Sequence, residues 1–228
     1  MAETLAALLR ARGTRRMFGV PGGGSSLDVI EAGAAQRLDF VLARSESAAA
    51  IMAATTAELG GAPGVVLTGL GPGAAAVANG LAHAFLDRAP LLLITDAYPP
   101  DLAAFVTHQR IDHTGLFAPL IKASLTPTGA TSPGELEELL DLALAPPQGP
   151  VHLDLSSRAA AEIMAEAQGG ARAIKPSSDP SARGEIETAR ALLAEAVRPA
   201  LLVGLEARRA AAPARALAAE LRGPVLTT

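Results

Sequence analysis

The 228-residue sequence predicts an α/β fold. The expected architecture is a doubly wound parallel sheet with helices on both faces, followed by a partial second α/β domain. Three observations predict it. Stretches patterned as helix alternate with short apolar stretches patterned as strand. Two of those strands, Gly64-Val-Val-Leu-Thr and Pro90-Leu-Leu-Leu-Ile-Thr, are apolar almost without interruption, as in strands covered on both faces. Glycine-rich segments follow strands at 21–24 and 69–73, the position where such sheets bind ligands.

Taken in order, residues 3–12 predict a helix and Arg16-Met-Phe-Gly-Val a short strand that ends at Pro21-Gly22-Gly23-Gly24. A helix is expected over 26–36, a strand in Leu38-Asp-Phe-Val-Leu-Ala, and a helix over 46–60 that Gly60-Gly61 terminates. The apolar strand from Gly64 leads through Gly69-Leu-Gly-Pro-Gly into a helix over 74–87, and Pro90 opens the second buried strand. Residues 98–113 are mixed and polar, which predicts an active-site loop or a short helix. Ile121-Lys-Ala-Ser-Leu is a candidate strand, 132–145 a helix, and Pro150-Val-His-Leu-Asp-Leu the last strand of the first domain, expected to span 1–158. From 159 to 183 the composition shifts to Ala, Gly, Ser and Pro, which predicts an interdomain linker. Residues 184–228 then read as helix, strand, helix and the start of another strand. That is too little for an independent core, so this part is expected to be the beginning of a truncated domain.

Composition removes several function classes. There is no cysteine, hence no disulfide, thiolate chemistry or cysteine-ligated zinc, in accord with a cytoplasmic setting. No run approaches the roughly 18 uncharged apolar residues of a membrane span, and the N-terminus carries an early acid and lacks the basic region of a secretory signal. A net charge of −4 with 3% aromatic residues gives no basic, stacking surface for nucleic acid.

Glu46 is the most informative residue. It stands where a strand ending in Arg44 meets an alanine-rich helix. A carboxylate there, among mostly apolar neighbours, is expected to be poorly hydrated and so suited to proton exchange. The plainer reading is a first-turn glutamate favoured by the helix dipole, with Ser45 as its cap. Glycines in Pro21-Gly22-Gly23-Gly24-Ser25-Ser26 let the backbone approach a ligand, and they equally suit a turn. Gly69-Leu70-Gly71-Pro72-Gly73 lacks the final glycine of a dinucleotide fingerprint and is no P-loop, because no Gly-Lys-Ser/Thr occurs. In Thr107-His108-Gln109-Arg110-Ile111-Asp112-His113 the two histidines are five apart and do not share a helical face, so substrate-facing polar groups fit better than a metal site. No Gly-x-Ser-x-Gly elbow is present.

In their order these segments resemble the N-terminal pyrimidine-binding domain of thiamine diphosphate-dependent enzymes, in the group of acetolactate synthase, benzaldehyde lyase and benzoylformate decarboxylase. The likeness is carried by Phe18-Gly-Val-Pro-Gly-Gly, by Arg44-Ser45-Glu46 with Ala48-Ala49 and Met52-Ala53, and by Gly71-Pro72-Gly73 with Asn79-Gly80. It continues through Gln109, Ala118-Pro119 and Lys122 to Gly149-Pro150-Val151. Arg198-Pro199, Val203-Gly204 and Gly223-Pro224-Val225 resemble the start of the family's central domain. Ser45 stands where the family often has histidine, and Ala75-Ala76 where it often has Thr-Asn.

The resemblance implies that Glu46 exchanges a proton with the cofactor's aminopyrimidine, so that the thiazolium carbon becomes a nucleophile toward a 2-keto acid or related carbonyl. It implies Gln109 as the residue that meets substrate, with His108 or His113 as alternatives. Gly22, Gly23, Gly71, Pro72 and Asn79 would shape the pyrimidine pocket. Magnesium and the diphosphate would be held by a Gly-Asp-Gly…Asn segment of a C-terminal domain that these residues do not contain, so the chain alone would be inactive. The site would lie between subunits of a homodimer or homotetramer. A regulatory module, a separate subunit paired with a cofactor-binding chain, and a dinucleotide oxidoreductase remain as alternatives. The reading frame beyond Thr228 and a nicotinamide-binding assay would discriminate among them.

Overall fold

The computed structural model of the protein describes residues 1–164, 182–204, 207 and 210–227. These fall in two units, 1–174 and 175–228. The first begins with α1 (Ala2–Ala11), β1 (Arg16–Val20), α2 (Ser25–Ala35), β2 (Asp39–Leu42), α3 (Glu46–Gly60), β3 (Gly64–Thr68), α4 (Pro72–Leu86) and β4 (Leu91–Ala97). Two short helices follow, α5 (Pro100–Ala103) and α6 (His113–Phe117), then β5 (Ser124–Leu125), α7 (Pro133–Leu144), β6 (Val151–Ser156) and α8 (Ser157–Ala161). The six strands form one parallel sheet in the order β2-β1-β3-β4-β6-β5.

The continuous apolar strands are two-faced. From β3, Val65 and Leu67 enter a core with α1, α2, α7 and α8, while Val66 enters a second core with α3, α4 and Phe117. From β4, Leu92 and Ile94 go to the first core and Leu91 and Leu93 to the second. That is the period of two in a strand with both faces covered. The chain winds outward from β1 through α2 to β2 and returns through α3 to β3 on the other side of β1. The loops after β1 and β3 therefore leave toward opposite faces, and a crevice opens between them at the carboxyl edge of the sheet.

Small residues let α3 and α4 lie close together. Ala49, Ala50, Ala53, Ala54 and Ala57 of α3 are buried, and α4 answers with Ala74, Val77, Gly80 and Leu81. A Cβ at Gly80 would stand 2.6 Å from both the Ala50 Cβ and the Ser47 carbonyl oxygen, a separation that packing does not accommodate. Ser47 Oγ donates to the Ala76 carbonyl (2.6 Å) and ties the start of α3 to α4.

Three differences from the expectations are local. α4 begins at Pro72 rather than 74, with the proline at its first position, where a missing N–H costs nothing. The strand expected over 121–125 pairs only at Ser124 and Leu125. Residues 159–161, placed in the linker, instead complete α8, and Ala159 and Ala160 are buried in the first core. The rest of that linker from 165 to 181 lies outside the described residues. In the second unit, α9 (Ala182–Glu195), β7 (Leu201–Val203), α10 (Ala211–Leu221) and β8 (Val225–Thr227) form a strand–helix–strand unit with β7 and β8 parallel. No helix among the described residues is long and apolar enough to cross a membrane.

Candidate functional site

A cleft of about 590 Å³ opens where the chain reverses between β1 and β3. Its walls include Gly22 to Gly24 after β1, Glu46 at the start of α3, Gly69 and Gly73 around the turn after β3, and His108 with Gln109. Four candidates from the sequence, Glu46, Gly22, Gly23 and Gln109, are thus brought together with a fifth, His108. Gly71 is buried in the turn itself. Pro72 and Asn79 are exposed on α4 and are not among the cleft residues.

Glu46 is the first residue of α3. Ser45 is extended (φ −155°, ψ 159°) and its Oγ accepts the Ala48 N–H at 3.3 Å, the capping role the sequence suggested. Glu46 is half-buried at the wall of the cleft. The apolar neighbours Ala49 and Ala50 point into the core, and the first turn stands at the open edge of the sheet. Among the described residues Glu46 has no hydrogen-bond or ion-pair partner, so its carboxylate is available to whatever enters the cleft. Gly73 leaves room beside it, since a Cβ there would lie 3.5 Å from Glu46 Oε1 and 2.8 Å from Thr68 Oγ1.

The glycine loop is held by Asp96, a residue the sequence reading passed over. It ends the apolar run of β4 and is 3% exposed, which demands that its carboxylate be satisfied by hydrogen bonds. Oδ1 accepts from Ser25 Oγ (2.9 Å), Ser26 N–H (2.7 Å) and Ser26 Oγ (2.7 Å), and Oδ2 accepts from Gly24 N–H (3.3 Å). A Cβ on Gly22 would overlap the Asp96 carboxylate, so glycine is required there for the loop to close on the strand end. The available signal was an acid directly following a buried parallel strand, at the edge where ligands bind.

A second polar cluster lies beneath the other rim. His113 Nδ1 and Thr95 Oγ1 both bond Asp154 Oδ1, at 2.9 and 2.7 Å. Thr95 Oγ1 also meets His152 Nε2 at 2.8 Å, and His152 Nδ1 meets Ser124 Oγ at 2.8 Å. The Gly71 N–H donates to His113 Nε2 at 3.2 Å. Burial alone would raise the Asp154 carboxyl pKa, but the bonds from His113 and Thr95 and the two nearby rings outweigh it, and the pKa lies below its ordinary value. His152 is fully buried, with Phe117 edge-on at 5.1 Å, and burial lowers its pKa from 6.5 to about 4 despite the neighbouring Asp154. His152 and Asp154 alternate with apolar residues in β6, which places both on one face. His113, weighed from sequence as a substrate contact, is buried in this cluster and is not a cleft residue.

The turn at Gly71 is a steric junction. Gly71 has φ 45° and ψ −97°, outside the regions open to residues with a Cβ, and an added Cβ would overlap the Gln109 carbonyl. Gln109 itself is left-handed, with φ 53°. Gly71→Ala is expected to destabilise the protein by about 2 kcal/mol through combined strain and overpacking. Urea denaturation would measure this, and a variant with unchanged stability would show that the turn is not under this constraint.

The family model described as "Thiamine pyrophosphate enzyme, N-terminal TPP binding domain" matches residues 1–116. The chain is 33% identical over 212 residues to a protein named probable acetolactate synthase large subunit from Methanocaldococcus jannaschii, covering 89% of this chain and 35% of the relative. It is 30% identical over 233 residues to a probable 2-ketoarginine decarboxylase of Pseudomonas aeruginosa, covering 99% of this chain and 41% of that protein. Among solved structures, a thiamine diphosphate-dependent 4-hydroxybenzoylformate decarboxylase of Rhodococcus jostii RHA1 superposes with a TM-score of 0.83 at 27% identity, over 100% of this chain and 44% of the other. The chain therefore spans well under half the length of these relatives.

Proposed function

Because the chain belongs to the thiamine pyrophosphate enzymes and carries their N-terminal TPP binding domain, we propose that it forms the activating half of a lyase or carboligase site. The substrates are 2-keto acids or related carbonyl compounds, as in acetolactate synthase-like enzymes. One observation carries this reading: Glu46, a carboxylate with no partner among the described residues, shares a cleft with the glycine loop at 22–24 and with Gln109. The fit to an aminopyrimidine is chemical. The cleft has a carboxyl group with no partner among the described residues, able to give a proton to a ring nitrogen and take it back, two backbone walls thinned to glycine at Gly22 and Gly73, and room for a ring.

Thiamine diphosphate supplies, when bound, a carbon nucleophile and an electron sink. Glu46 would hold the pyrimidine ring at N1′ and exchange a proton there. Asp96 keeps the loop at 22–24 open to that ring, and Gln109, with His108 beside it, meets the substrate. Magnesium and the diphosphate are held by residues outside these 228, and the site is completed between subunits of a homodimer or homotetramer in the cytoplasm. Residues through Ala161, where α8 ends, form the pyrimidine-binding domain, and the unit that holds α9, β7, α10 and β8 is the opening of a central domain, a reading supported by the separation into two units.

Calorimetry of this chain with thiamine diphosphate and magnesium tests the division of labour. Weak or undetectable binding is expected. Tight, magnesium-dependent binding by the 228 residues would overturn the assignment of the diphosphate site to another segment.

A further inference from the structure

With Asp154 ionised and His152 neutral, the bonds of the cluster beneath the Gly71 turn have one self-consistent arrangement of protons. A backbone N–H can only donate, so His113 Nε2, which receives the Gly71 N–H at 3.2 Å, carries no proton. The proton of the neutral ring is then on Nδ1, and it donates to Asp154 Oδ1 at 2.9 Å. An ionised carboxylate can only accept, so Thr95 spends its single hydroxyl hydrogen on the same oxygen at 2.7 Å. Thr95 Oγ1 must therefore accept from His152 Nε2–H at 2.8 Å, and His152 Nδ1 accepts from Ser124 Oγ–H at 2.8 Å. Every hydrogen named is donated once, and Asp154 Oδ1 accepts two of them. The two histidines are neutral in opposite tautomers. The low pKa of His152 agrees with its being neutral.

The far end of this chain of bonds is the Gly71 amide, against whose α-carbon the Gln109 backbone is packed. We propose that His113 is a positioning residue for Gln109: fixed by Asp154, its ring holds the Gly71 turn, and the turn holds Gln109 at the cleft. The proposal rests on the function proposed above for its meaning in catalysis, and on geometry alone for the linkage itself. His113 does not line the 590 Å³ cleft; with Asp154 it lines an adjoining cavity of about 130 Å³ that Gln109 shares with the cleft, and it is not assigned a catalytic role.

The test uses the 15N-labelled chain. Long-range 1H–15N spectra of the histidine rings should show His113 protonated at Nδ1 and His152 at Nε2. His113→Leu removes both ring bonds. It should speed hydrogen exchange at the Gly71 amide about tenfold or more and abolish the nuclear Overhauser contact between the α-protons of Gly71 and Gln109. His113→Gln offers one donor and one acceptor at similar spacing and should restore both. A His113 proton on Nε2, or an intact Gly71–Gln109 contact in a folded His113→Leu, would overturn the proposal. If the leucine variant does not fold, the tautomers and the glutamine variant still decide it. In the complete enzyme, His113→Leu should raise KM or lower kcat for the carbonyl substrate without weakening thiamine diphosphate binding, and His113→Gln should recover most of the loss. Unaltered turnover in Gln109→Ala, with the tautomers as stated, would instead sink the proposed role of Gln109 and leave the linkage standing.

Discussion

Replacing Glu46 by glutamine in the complete enzyme is expected to keep the fold and to lower turnover about 10²- to 10⁴-fold, the range associated with a positioned proton-transfer group. The substitution preserves size and hydrogen-bonding reach but removes the exchangeable carboxyl proton. Fold retention follows from the surroundings. Glu46 is half-buried, has no partner among the described residues, and follows a cap that Ser45 provides without it. Circular dichroism and the thermal midpoint should match the parent protein while steady-state turnover collapses. Wild-type turnover in the glutamine variant would refute the assigned role. A lost fold would show that the carboxylate has a structural task that the geometry does not reveal.

The second large effect is on stability at acid pH. His152 is neutral in the folded protein, with its pKa lowered from 6.5 to about 4 by burial. In the unfolded chain the same ring regains an ordinary pKa and takes up a proton below about 6.5. Between these two values the unfolded state binds more protons, so stability falls as pH falls. The contribution is fully present above pH 6.5 and is lost by about pH 4, a change of about 3 kcal/mol. Asp154 does not produce this slope. Its folded pKa is lowered from 3.8, so its own contribution persists through the window and disappears only below it. Urea midpoints of the wild type and of His152→Gln, measured from pH 7 down to 4.5, isolate the residue. The wild type should lose stability steeply and the variant much less, whatever its starting level. Parallel curves for the two proteins would exclude His152 as the source.

Much of the architecture was legible because its signals are local. The bounds of β1, α3 and β3 agree with the sequence reading to the residue, since glycines, a cap and apolar runs sit at their ends. The convergence of Glu46, Gly22, Gly23 and Gln109 on one cleft was legible from the order of motifs. What escaped depends on partners distant in sequence. Asp96 finds Ser26 across 70 positions, and no local pattern in β4 announces that bond. His113, His152 and Asp154 acquire meaning only once β6 pairs with β4 and β5. How Glu46 meets solvent also depends on neighbours in space rather than in sequence. Its apolar companions turn inward along α3 while the first turn stays at the sheet edge. The end of the first unit was misplaced for a related reason. An alanine-rich stretch reads as linker until Ala159 and Ala160 are seen buried in the core with α2.

The seam between α3 and α4 has a consequence for how such a protein can change. Glu46 takes its bearings from an alanine-on-glycine contact and from the Ser47 bond to Ala76, all within regular helices. The residues facing the cleft from the other rim, His108 and Gln109, lie in an exposed segment between β4 and α6. Loops absorb substitution and insertion far more readily than packed helices do. The carboxylate and the opposite rim of the cleft are thus borne by parts of the chain with unequal freedom to vary. Under the function proposed above, selection for a new carbonyl compound would remodel the loop while Glu46 keeps its place, so one scaffold would serve many substrates without reinventing its chemistry.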